Sequence, residues 1–204
     1  MRPSPHAITT RIEASRPGRG EDRIALVETA DRTIIIVADG AGGVAGGAAA
    51  AEALCRAPTL GASAWSVWLS QQDAALAAKS TGLAAAVILA IDDDGMIHGA
   101  SVGDCEAWVF TKNEALPLTD QQVRKPLLGD GAALPVNFTA RVTEGTVLIA
   151  SDGLWKYMKP ARIAEAAALR PLESAVDALV AGARLPSGAM QDDIAIVIFE
   201  MRRP

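Results

Sequence analysis

The stretch "IIIVADGAGGVAGGAAAAE", residues 34–52, joins an apolar run to an alanine-rich segment through a turn crowded with glycine. It delivers one carboxylate, Asp39, into that turn. With the apolar run as a strand and the alanine-rich segment as a helix, two folds compete for it. A nucleotide-binding βα unit would use the glycines to close the backbone around a phosphate. A metal site would use Asp39 as a strand-end ligand, the glycines letting the backbone come close to the ion. The segment GAGGVA, 40–45, does match the loose pattern G-x-G-x-x-G/A. Asp39, however, stands immediately before the first glycine, where its charge opposes a pyrophosphate. No acidic residue lies about twenty positions further on to hold a ribose, and no G-K-[ST] loop is present.

Outward from this stretch, short apolar runs rich in β-formers recur at 23–29, 33–38, 84–91, 96–102, 106–111, 138–142, 146–151 and 194–200. These read as strands. The hairpin-length turns ADR, DDDG and KNE join several of them, which predicts antiparallel pairing. Helix formers fill 47–57, 62–79, 160–170 and 172–183. Strands come in runs and helices in pairs, so the chain does not alternate as a parallel βαβ fold would. The pattern predicts an α+β domain of two stacked, mainly antiparallel sheets with a helix pair on each outer side. Near-continuous apolar runs at 34–38 and 194–198 imply sheets covered on both faces. Trp65 and Trp68, three apart in an expected helix, should face a sheet. The segment 119–137 is the one long irregular connection and a candidate flexible flap.

The 204 residues read as one domain, 1–204, without repeats. A net charge of −5 gives no electrostatic reason to expect nucleic acid or an anionic membrane. The longest apolar run, 82–91, is about half a membrane span, and the N-terminal segment lacks a signal-peptide core. A cytoplasmic protein is expected, with Cys55 and Cys105 as reduced packing residues. His6 and His98 are too few for a zinc site.

The acids carry the functional signal. Glu21 and Asp22 precede the run 23–29, and Asp39 closes 33–38 ahead of Gly40. Asp104 follows GASVG, Asp152 follows TVLIAS ahead of Gly153, and Asp192 and Asp193 open the last run. One such aspartate is a turn residue. Five recurrences at strand ends can converge, because a sheet aligns its strand ends. Converging carboxylates repel unless a cation offsets them, and an all-oxygen set suits Mg2+ or Mn2+.

In order along the chain, GEDR, VADGAGG, TGLAAAVILA…GASVGDCEAWVF, LIASDGLWKYM and QDDIAIVIFE resemble the motifs of the PP2C (PPM) family of metal-dependent serine/threonine protein phosphatases. The resemblance spans about residues 15–200 and implies the PP2C-like α-β-β-α sandwich. It implies two Mn2+ or Mg2+ ions and a catalytic set of Asp39, Asp152 and Asp192. Asp39 would bridge the ions, with Gly40 giving its carbonyl, and Glu21 would act on the second ion. Asp22 would support the site, and Asp104 with Asp152 would hold a weaker third ion. The substrate would be a phosphorylated protein, opposing a serine/threonine kinase, and hydrolysis would use a metal-activated water without a phosphoenzyme. The family's phosphate-binding arginine position is Pro17 here, flanked by Arg16 and Arg19, either of which could take the role in a shifted loop. Ala41 stands where some members carry histidine, and DD replaces the usual D-N of the last motif. These departures leave an alternative, a catalytically weak PP2C-like binding or scaffold module.

Overall fold

A computed structural model of the chain describes residues 7–41, 46–56 and 64–201. His6 and the middle of the glycine turn, 42–45, lie outside the described residues. The elements are Ala7–Glu13 (β1), Arg23–Glu28 (β2), Arg32–Gly40 (β3), Gly47–Arg56 (α1), Trp65–Lys79 (α2), Ala84–Asp92 (β4), Met96–Val102 (β5) and Glu106–Phe110 (β6). They continue with Ala115–Pro117 (β7), Val136–Arg141 (β8), Gly145–Ala150 (β9), Asp152–Trp155 (α3), Pro160–Ala167 (α4), Leu172–Ala183 (α5) and Ile194–Met201 (β10). One five-stranded sheet has the order β1-β10-β9-β6-β7 and the other β2-β3-β4-β5-β8. Every neighbouring pair is antiparallel. This is the α+β sandwich the sequence predicts.

The unbroken apolar runs are explained by three layers of core. Ile35 and Val37 of β3 enter the layer between the sheets, against Val147, Ile149, Val197 and Phe199. Their neighbours Ile34, Ile36 and Ala38 face the other way and pack with Ala50, Leu54, Trp65 and Trp68 of α1 and α2. The other outer layer sets Ile194, Ile196 and Ile198 against Leu154, Ile163, Val176 and Leu179. A strand with a core on each side has no polar face, so period-two alternation disappears from its sequence. Trp65 and Trp68 are buried as expected and meet edge to face at 6.4 Å.

β3 runs through Asp39 and Gly40, which pair with Ala85 and Ala84, rather than stopping at 38. Gly40 here brings backbone close to backbone. A Cβ on Gly40 would lie 2.4 Å from the Gly47 carbonyl carbon, so the start of α1 can rest directly on the strand end. Two strands escaped the pattern reading. β1 is a half-exposed edge strand beside β10, and β7 is only three residues long.

The segment 119–137 is anchored rather than a free flap. Leu128 exchanges both backbone hydrogen bonds with Ala84 at 3.0 Å. Asp73 of α2 accepts the backbone N–H groups of Gly129, Gly131 and Ala133 at 2.7, 2.9 and 3.0 Å. No described helix is long and apolar enough to cross a membrane.

Candidate metal centre

The ends of β3, β5 and β9 and the start of β10 carry carboxylates to one edge of the sandwich. Asp39 sits on β3, Asp104 two residues past β5, Asp152 at the first position of α3, and Asp192 just before β10. Gly153 allows the last two to meet. A Cβ there would stand 1.9 Å from the Asp193 carbonyl oxygen, so only glycine lets α3 press against the entry to β10. Single ligand atoms of Asp39, Asp104 and Asp152 all lie within 4.8 Å of one another. They line a cleft of about 270 Å3 together with Glu21, Gly40, Asp192 and Lys156. Glu21, Asp39, Gly40, Asp104, Asp152 and Asp192, named from sequence, are therefore brought together. The tightest trio includes Asp104 rather than Asp192, which lines the same cleft.

Asp22 is placed differently: it is 1% exposed and does not line the cleft. Its Oδ2 accepts the Ser151 hydroxyl at 2.6 Å, and that hydroxyl accepts the Ala195 N–H at 2.9 Å. Its Oδ1 is buried with no hydrogen-bond donor. Asp193 works as a clamp, its two oxygens accepting the Ser15 and Glu21 N–H groups, each at 2.7 Å. The loop 15–21 is thereby held against β10, with Glu21 over the cleft. Arg16 and Arg19 are exposed on this loop and line a groove that shares Glu21, Asp192 and Asp193 with the cleft.

The electrostatics express the crowding. Burial, then the charges of Asp22, Asp152, Asp104 and Asp192, push the Asp39 carboxyl up to about 10. Burial raises Asp22 to about 7, opposed by the Ser151 hydroxyl and aided by Asp193 and Asp152. Asp152 is raised by burial too, with the Lys156 ammonium pulling the other way. Carboxylates that resist ionisation side by side, plus an orphaned buried oxygen behind them, fit a set of ligands for a hard divalent cation. A larger hollow of about 700 Å3 lies between the β6–β7 turn and α4. Among the described residues the metal-competent grouping is the one in the smaller cleft.

Lys156, Ser151 and Asp73 were not singled out from sequence, and Asp193 was noted only as opening the last run with Asp192. Lys156 alone had a local signal, standing four residues after Asp152 at helical spacing. The thiols are unsuited to nucleophilic attack. Burial raises Cys55 to about 12 and holds Cys105 well above the ordinary thiol range.

The fold of two stacked antiparallel sheets with flanking helices is shared with solved serine/threonine phosphatases of bacteria. The chain is similar to RsbX in complex with magnesium, with a TM-score of 0.79 over 96% of this chain and 95% of that one, at 15% identity. The serine/threonine phosphatase of S. agalactiae gives 0.79 over 98% and 100%, at 17% identity. PstP/Ppp of Mycobacterium tuberculosis gives 0.74 over 97% and 99%, at 16% identity. No protein-family model matches the sequence, and no curated protein matches it. The likeness is one of fold, and it is the fold the sequence resemblance implies.

Proposed function

We propose that the chain is a metal-dependent protein serine/threonine phosphatase acting on phosphoserine and phosphothreonine. The observation that supports this best is the approach of Asp39, Asp104 and Asp152 within 4.8 Å, in a cleft shared with Glu21 and Asp192. A bound pair of Mn2+ or Mg2+ ions would supply an activated water and Lewis acidity at the phosphoryl oxygens. Asp39 would be the shared ligand, aided by the Gly40 carbonyl, with Asp152 and Asp192 on one side and Glu21 on the other. Asp104 with Asp152 would offer the weaker third position. Asp22, held by Ser151, would back the cluster.

Arg16 or Arg19 would grip the phosphoryl group, since a guanidinium fork matches two phosphate oxygens. Ala41 offers no side-chain proton donor, so water or another donor would protonate the departing serine or threonine oxygen. The protonated thiols fit a route without a phosphoenzyme. We place the protein in the cytoplasm, opposing a serine/threonine kinase.

The scaffold alternative has one observation in its favour: Lys156 pairs with Asp152, one of the carboxylates a metal would use. Turnover of a phosphothreonine peptide separates the readings. The enzyme reading expects hydrolysis with Mn2+ that chelator abolishes. Turnover indifferent to chelator, or none with any divalent metal, rejects it.

A further inference from the structure

Lys156 is the basic residue among those lining the acidic cleft. Its place follows from local geometry. The Lys156 N–H donates to the Asp152 carbonyl at 2.9 Å, which continues the turn of α3 and aims the side chain back over the same face. The ammonium reaches Asp152 Oδ2 and forms an ion pair with it. This is unlike an ordinary surface pair, because the Asp152 side chain is only 11% exposed while that of Lys156 is 47% exposed. One partner is fixed in the cleft, and the other sits on a flexible stem at its rim.

Asp152 is also a member of the trio whose ligand atoms lie within 4.8 Å. The ammonium therefore holds one of the two oxygens of a carboxylate that an ion shared by Asp104 and Asp152 would also draw on. Burial works against the Lys156 charge, but Asp152, Asp104 and Asp192 outweigh it, so the group stays cationic.

We propose that Lys156 is a resident cation of the cleft: its ammonium competes with a divalent ion for the Asp104–Asp152 position. The carboxylates thus keep partial neutralisation before metal arrives, and the third-ion position is weakened. The inference rests on the reading of the cleft as a divalent-metal site. It concerns loading of the site, and its test does not use catalysis.

The test is calorimetric titration of the metal-free full chain with Mn2+, for wild type, Lys156→Gln and Lys156→Arg. Lys156→Gln should take up one further ion, or bind its weakest ion about tenfold tighter, the scale of effect seen on removing one close charge from a pair. Lys156→Arg keeps the charge and should follow the wild-type isotherm. Melting provides the second readout. In chelator, Lys156→Gln should melt below wild type, and saturating Mn2+ should close the gap. Coincident isotherms for wild type and Lys156→Gln, with Mn2+ taken up by both, overturn the role of the lysine and leave the metal site standing. A melting deficit equally large with and without Mn2+ also overturns it, since that marks a structural contact. Absence of uptake by all three chains overturns the inference and the metal reading together.

Discussion

Asp39 shows how a single carboxyl would couple the protein's stability to a bound metal. Its pKa in the folded, metal-free chain, about 10, stands above the ordinary 3.8, and that of Asp22 stands at about 7. The folded state then binds more protons than the unfolded chain. Stability from these groups is fully present below about pH 4 and declines as the pH rises towards each folded value. In chelator, the melting temperature of Asp39→Asn should therefore fall less than that of wild type between about pH 5 and pH 9. Parallel curves would remove Asp39 from the crowded cluster. With Mn2+ present the sign reverses, because the cation now needs the charge. Asp39→Asn should lower phosphopeptide turnover at least about a hundredfold, measured as initial rate at saturating Mn2+. At this scale the sequence was legible where an acid ends an apolar run beside a glycine, as with Asp39 and Asp152. It placed Asp193 at a strand start but not its task, which depends on backbone groups up to 178 residues away.

Among the elements, α2 does more than cover a sheet. Through Asp73 it gathers three N–H groups of the 129–133 turn, and that turn keeps Leu128 paired with Ala84 beside the cleft. Asp73→Ala leaves these donors without their acceptor and should cost about 1–3 kcal/mol, measured by urea unfolding. Faster amide exchange at Gly129, Gly131 and Ala133 should accompany it, and unchanged exchange would contradict the clamp. The tie on the irregular segment was not legible, because it comes from one distant carboxylate rather than from any repeat within the segment. β1 was missed for a related reason. An edge strand buries little, so Ala7–Glu13 shows only weak alternation, and its partner β10 is remote in sequence. Helix α5 was legible to the residue, since its apolar face and the preceding Pro171 are both local signals.

For the molecule as a whole, the two sheets form the frame and the cleft lies at their ends. Ions bound only by the folded state should stabilise it. At a hundredfold excess over its dissociation constant, one ion contributes about 2.7 kcal/mol. That corresponds to a rise of about 5–10 °C in melting temperature for a domain of this size. Scanning calorimetry with Mn2+ and then with chelator checks it, and equal transitions would argue against a metal site. The layered fold was legible because cores on both faces of β3 and β10 leave unmistakable apolar runs. That the strand-end acids share one cleft was legible too, but not which of them stand nearest one another, because that requires the register between strands. One feature of that register has a mechanical outcome. Ala7 and Glu200 are cross-strand partners at the end of β1 and β10 farthest from the cleft. Opposing force applied at these two points would load the hydrogen bonds of the pair singly, as a zipper opens, rather than shearing them together. The rip would travel along β1 to Glu13 and meet Asp193 there. A tethered molecule should therefore yield at low tension, loosening the rim of the cleft while the inner strands are still joined.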